Sequence, residues 1–127
     1  MCTLIFFLCV KLIHPSGDVN CLAFGKDGVL ASGSADKSIK IWESATGALL
    51  RTLKGHSDWV LGLAFNREDV LASASRDKSV RLWGVATGTL LATLNGHTDW
   101  VYSVAFNRDN VLVSASHDCT VKLWKLE

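Results

Sequence analysis

His56, Ser75 and Asp77 are the residue types of a hydrolytic triad, in which an imidazole takes a proton from a serine hydroxyl and a carboxylate orients the imidazole. The trio returns as His97, Ser116 and Asp118, and each copy is followed by a tryptophan, Trp83 and Trp124. Hydrolysis needs one nucleophile in one pocket beside donors for the oxyanion. A set that recurs at fixed spacing answers a need shared by every copy of a unit, and no G-x-S-x-G elbow surrounds either serine. The need is a buried indole. Its N–H must find an acceptor, a serine hydroxyl on the adjacent strand can accept it and donate to a histidine, and the second imidazole nitrogen can meet the turn aspartate. A hydrolase built on one of the sets is the alternative from a second functional class.

Other chemistries find less support. The four cysteines, Cys2, Cys9, Cys21 and Cys119, have no CxxC spacing and no paired Cys/His cluster of the kind a structural zinc needs, and they read as free thiols in a reducing compartment. Thirteen Lys and Arg balance twelve Asp and Glu, with no run of like charge, so neither a nucleic-acid footprint nor attraction to anionic lipid is indicated. The apolar start, MCTLIFFLCVKLI, lacks a preceding basic residue and an A-x-A-like cleavage site, and it is shorter than the ~20 residues a membrane helix needs. No cofactor is called for.

The elements that must position these residues follow from repetition. Trp42, Trp83 and Trp124 are spaced by 41 residues, as are Asp36, Asp77 and Asp118, Ser34, Ser75 and Ser116, and Phe24, Phe65 and Phe106. Residues 43–83 and 84–124 share about 25 of 41 positions without a gap. The units are about 2–42, degenerate at its start, 43–83 and 84–124, so that 1–127 is one array. Within the middle unit, Ala48 to Leu53, Val60 to Phe65, Val70 to Ser75 and Ser79 to Trp83 are short apolar runs separated by turn-like segments, the pattern of four strands. Thr46-Gly47 and Thr87-Gly88 mark tight hairpins. Val60 to Phe65 is apolar at every position, so both its faces must be covered, which neighbouring copies can do by stacking.

The period, the Gly55-His56 and Gly96-His97 pairs, the Ser-x-Asp turns and the strands ending in Trp resemble the WD-repeat, or beta-transducin-like, family. The resemblance covers residues 14–127; the second and third units depart from the family only after the tryptophan, where Gly84 and Lys125 replace the aspartate as Glu43 does in the first, and the first unit matches well from Val19 to Trp42 and poorly before it. It implies an all-β fold of WD-repeat β-propeller blades, here three four-stranded antiparallel units in an incomplete ring, each running outer strand, inner strand, then two middle strands. It also implies that Trp83, Ser75, His56 and Asp77, and Trp124, Ser116, His97 and Asp118, are structural locks. Ser34, Asp36 and Trp42 lack an aligned histidine, since His14-Pro15 stands where Gly-His is expected, and His14 reads as a solvated turn residue. Leu8 to Ile13 falls opposite Leu49 to Lys54 and reads as an outer strand.

Three blades leave two readings open: a fragment of a longer propeller, which the odd N-terminus and abrupt end favour, or a ring completed by association, two copies giving six blades. The implied function is a protein-interaction scaffold or adaptor, intracellular in the cytoplasm or nucleus, whose partners are proteins or peptides rather than nucleic acid or membrane. A nucleic-acid-binding propeller is the third alternative. Trp59 and Trp100, in polar loops expected on the top face, are the candidate binding residues, joined by Arg76 and His117 just before the turn aspartates.

Overall fold

A computed structural model describes residues 9–126, which contain eleven strands and no helix. The first sheet takes β1 (Val19–Phe24), β2 (Val29–Ser34), β3 (Ile39–Glu43) and β4 (Ala48–Leu53) in that order. The second takes β5 (Val60–Phe65), β6 (Val70–Ser75), β7 (Val80–Gly84) and β8 (Thr89–Leu94). The third has three strands among the described residues, β9 (Val101–Phe106), β10 (Val111–Ser116) and β11 (Val121–Lys125). All pairings are antiparallel. Each four-stranded sheet borrows its last strand from the following sequence unit, so β4 of residues 48–53 hydrogen-bonds to β3.

Turn chemistry bounds the strands. Gly47 and Gly88 adopt φ of 77° and 73° in the two hairpins, a region that costs glycine nothing. At each Ser-x-Asp turn the aspartate side chain takes over the backbone donors beyond it, as Asp77 Oδ1 does for the Ser79 N–H at 3.0 Å. That capture starts β7 at Val80, one residue later than the apolar run suggests. A bulge in each inner strand leaves one residue without a partner on the neighbouring strand: Asn20 in β1, Leu61 in β5 and Tyr102 in β9.

The core lies between sheets. Val60 and Leu63 of β5 pack with Ile39, Ile41 and Ala31 of the first sheet, while Val101 and Val104 of β9 pack with Ala74, Val80 and Leu82 of the second. Burial of each Val, Leu or Ile side chain contributes roughly 1.5–3 kcal/mol. At Gly62 the sheets come so close that a β-carbon would stand 2.9 Å from the Tyr102 carbonyl oxygen. The strand expected at Leu8 to Ile13 is not found: residues 9–13 are outside any ladder, and Leu8 lies outside the described residues. Val10 and Leu12 instead lie beside the Thr46-Gly47 turn. A strand forms only where a partner offers free N–H and C=O groups, and beside the Thr46-Gly47 turn residues 9–13 meet no such edge.

Candidate functional site

Three buried polar chains cross the sheets. In the second, the Trp83 Nε1–H donates to Ser73 Oγ at 2.8 Å, Ser73 Oγ lies 2.6 Å from His56 Nε2, and His56 Nδ1 lies 2.7 Å from Asp77 Oδ2. The network assigns the tautomer: Nδ1–H donates to the carboxylate, leaving Nε2 to accept the serine proton. The third repeats it, with Trp124 on Ser114 at 2.9 Å, Ser114 to His97 at 2.7 Å and His97 to Asp118 at 2.7 Å. Asp77 and Asp118 also receive the backbone N–H of Ser57 and Thr98, each at 3.1 Å.

The serine expected in these chains is corrected by two residues. Ser75, Ser116 and Ser34 do not meet the indole; Ser73, Ser114 and Ser32 do. The register explains it, because Trp83 is paired with Leu71, which puts Ser73 diagonally adjacent and Ser75 a further ~7 Å along the strand. Ser75 Oγ instead accepts the Asp77 N–H at 3.1 Å and donates to the Asp58 carbonyl at 3.2 Å, binding the aspartate turn to the Trp59 loop. Ser116 does the same between the Asp118 N–H and the Asp99 carbonyl, and Ser34 accepts the Asp36 N–H.

The first sheet has a histidine after all. His14 is buried, its Nε2 2.6 Å from Ser32 Oγ and its Nδ1 3.4 Å from Asp36 Oδ2, while Trp42 Nε1–H donates to the same Ser32 at 2.8 Å. It is not a solvated turn residue. The signal was an offset of one: His14 precedes Asp36 by 22 residues where His56 and His97 precede theirs by 21, so an ungapped alignment sets Pro15 in its place.

Electrostatics differ along the three chains. Burial by itself would raise the pKa of Asp77, but the hydrogen bonds from His56 and Ser79 outweigh it and hold the carboxyl below the ordinary range. Asp118 is held low in the same way against its own desolvation, chiefly by Thr120 and His97. Asp36 is lowered too, its desolvation offset by Ser38 and His14. Desolvation lowers His14 below 6.5, because the more distant Asp36 compensates only in part. Ser73, the hydroxyl beside His56, is fully buried and already shared by an indole and an imidazole, so an attacking oxygen there has no path to a substrate carbonyl.

A second cluster lies on the surface before the inner strands. The Arg76 guanidinium carbon stands 4.3 Å from the Trp59 ring centroid and 4.0 Å from that of Trp100, a cation held between indoles of adjacent sheets. The His117 ring continues the row, 6.1 Å from Trp100 and tilted by 35°. The four predicted surface residues are therefore together. Backbone bonds fix them in pairs, Arg76 N–H to the Trp59 carbonyl at 2.9 Å and His117 N–H to the Trp100 carbonyl at 2.8 Å. Asp58 and Asp99 accept the N–H of the following tryptophan at 2.8 and 2.7 Å, which sets each loop. Trp59 is 41% and Trp100 36% exposed.

Tyr102 belongs to the row and was not foreseen. Its hydroxyl lies 3.2 Å from His117 Nδ1, and its ring meets Trp100 edge-on at 6.3 Å. It is the bulge residue of β9, and an aromatic two positions after Trp100, where the earlier units carry Asn20 and Leu61, was the available sign. At the other end of the inner strands, Phe24, Phe65 and Phe106 line a cavity of about 340 Å³ with Lys26, Arg67 and Arg108. Among the described residues, Cys9, Cys21 and Cys119 are free thiols, and no group of His, Cys, Asp or Glu is arranged to hold a metal ion. Burial pushes the Cys21 thiol up to about 12.

Comparison with known proteins matches this geometry. Residues 7–43, 47–84 and 88–125 each match the WD domain, G-beta repeat family. The Lissencephaly-1 homolog of Heterostelium pallidum is 60% identical over 38 residues, 30% of this chain and 9% of the relative. Nuclear distribution protein PAC1 of Mycosarcoma maydis is 41% identical over 51 residues, 40% of this chain and 11% of the relative. The chain thus spans about a tenth of the length of these relatives. The solved structure of U3-55K superposes with a TM-score of 0.83 at 41% identity, over 87% of this chain and 35% of the other. That of the RRP9 WD40 repeats gives 0.81 at 41% identity, over 85% and 34%. With three matched repeats, three polar chains of one design and two such structural likenesses, the chain belongs to the WD40 repeat family, and its sheets are β-propeller blades.

Proposed function

We propose that the chain is a protein-interaction scaffold whose contact surface is the row Trp59, Arg76, Trp100, His117 and Tyr102. The observation that supports this reading is the guanidinium held between two exposed indoles on adjacent blades. Aromatic and arginine side chains dominate interaction hot spots, and here their rotamers are fixed before any partner arrives, so docking orders little. The polar chains serve the surface indirectly: by tying each Gly-His loop to its Asp turn, they hold the tryptophan loops at constant spacing. Partners are proteins or peptides, and the cellular site is intracellular, cytoplasmic or nuclear, in keeping with free cysteines. No membrane-spanning helix occurs among the described residues.

The test is selection of peptides on the purified chain from a random display library, followed by titration against variants. Trp100→Ala and Arg76→Ala are expected to weaken the selected peptides at least tenfold, with Leu50→Ser on β4 as the unaffected control. Peptides that bind all three variants alike would refute the assignment. Binding of single-stranded oligonucleotide that falls steeply with salt would favour nucleic acid instead.

A further inference from the structure

Arg76 brings to the exposed row a hydrogen-bonding capacity that its own chain leaves unused. Its guanidinium carbon lies 4.3 Å from the Trp59 centroid and 4.0 Å from that of Trp100. An indole face attracts a cation through its quadrupole and offers no lone pair to the N–H donors. Nε is buried without a hydrogen-bond partner among the described residues, and the carboxylate facing it, Asp58 Oδ1, stands 4.0 Å away, past hydrogen-bond reach. The terminal Nη atoms have no partner among the described residues either and stay open to solvent, the side chain being 24% exposed. Arg51 is the contrast: its Nη1 and Nη2 donate to the Thr87 and Ala86 carbonyls at 3.2 and 2.6 Å, so its fork is occupied within the chain.

The walls of the site are supplied by two adjacent blades of this chain, Trp59 and Arg76 by the second sheet and Trp100 by the third. The charges beside it discriminate among anions. Asp58 and Asp99 are held in place by the N–H of Trp59 and of Trp100, so fixed carboxylates already stand next to the indoles that flank the guanidinium. A phosphate monoester, at about −1.5 to −2, would meet more repulsion there than a singly charged carboxylate.

We propose that Arg76 is the receptor for a carboxylate of a partner protein, an aspartate or glutamate side chain that accepts from the open Nη atoms between Trp59 and Trp100. The arginine fork matches the two oxygens of a carboxylate, and the indole walls keep water from the pair and so strengthen it. The inference rests on the scaffold reading of the row and adds to it the chemistry of the partner, an acidic segment of polypeptide.

The test uses the purified chain and end-capped synthetic peptide pools, random among uncharged residues except at a central position fixed as glutamate, glutamine or phosphoserine. The glutamate pool is expected to yield binders, and exchanging that glutamate for glutamine is expected to weaken a binder about tenfold or more. On Arg76→Gln, whose β-sheet circular dichroism is expected to match the parent, the same exchange is expected to make no difference. Asp58→Asn keeps an acceptor for the Trp59 N–H and removes the charge 4.0 Å from Nε, so it is expected to tighten the glutamate binder roughly two- to fivefold without touching Arg76. No binder from the glutamate pool, binders that tolerate the glutamine exchange, or tighter binding of phosphoserine would each overturn the proposal. The scaffold reading is separable, since it survives any of these results if selected peptides are still weakened by Trp100→Ala, and fails together with the proposal if they ignore both Trp100→Ala and Arg76→Ala.

Discussion

Replacing Ser73 by alanine removes one hydroxyl and strands two buried groups. The Trp83 N–H loses its acceptor at 2.8 Å and His56 Nε2 loses the donor at 2.6 Å, in a place where no water reaches Ser73. An unsatisfied buried polar group costs about 1–3 kcal/mol, so the variant is expected to lose about 2–5 kcal/mol. For a chain of this size the loss lowers Tm by roughly 10–20 °C. Ser75→Ala gives up bonds to the Asp77 N–H and the Asp58 carbonyl, each contributing about 1 kcal/mol, and is expected to lose about 2 kcal/mol, the low end of that range. Urea titrations followed by circular dichroism measure both, and Trp83→Phe in each background supplies a double-mutant cycle. Coupling of about 1 kcal/mol or more between positions 73 and 83, with none between 75 and 83, is the expected pattern. A Ser73→Ala protein as stable as the parent, or coupling at 75 in place of 73, would refute the reasoning.

Acid should weaken the fold through Asp77 and Asp118: their folded pKa values lie below the unfolded ~3.9, so their contribution is complete above that pH and fades as pH falls through the folded values. Asp77→Asn is expected to flatten the urea midpoint against pH below about 4. His14 acts in a higher window, because its folded pKa is lowered from 6.5. The unfolded chain binds the proton more readily, stability rises with pH toward neutrality, and His14→Gln is expected to reduce that slope as pH approaches 6.5 from below. Gly62→Ala, which forces a β-carbon against the Tyr102 and Ser103 backbone, is expected to cost about 1–3 kcal/mol in the same titration. Arg76→Lys keeps the charge but loses the flat guanidinium, and the emission of Trp59 and Trp100 is expected to shift to longer wavelength while Tm changes little.

The strands were legible because each short apolar run is bounded by residues that stop a ladder; Ala48 to Leu53, Val60 to Phe65 and Val70 to Ser75 fall at β4, β5 and β6. The gathering of Trp59, Arg76, Trp100 and His117 was legible because equal spacing in a repeat means equal position in each blade. Ser73 was hidden by the strand period of two, which leaves 73 and 75 on one face; only the pairing of Leu71 with Trp83 separates them, and pairing is a property of two strands. One extra residue between His14 and Asp36 hid the first histidine. A bulge, which no composition signals, placed Tyr102 beside His117. The expected N-terminal strand failed since an apolar run specifies burial and says nothing about which edge is within reach.

The blades and the units are cut at different places, and this matters for how such a chain gains and loses material over generations. β4 and β8 occupy equivalent places, each the last strand of its sheet, and Leu49, Leu50, Thr52 and Leu53 recur as Leu90, Leu91, Thr93 and Leu94. Excision of residues 43–83 in one event would bring 89–94 to the edge of β3 in the same register, with Thr89 and Ala92 in the places of Ala48 and Arg51 and the other four side chains unchanged. No sheet would be left half built, and no strand would be orphaned at the seam. A genome can therefore lengthen or shorten this array in steps of one unit without passing through a broken fold, whereas an event of another length that cuts into a strand disrupts the pairing of the blade in which it falls.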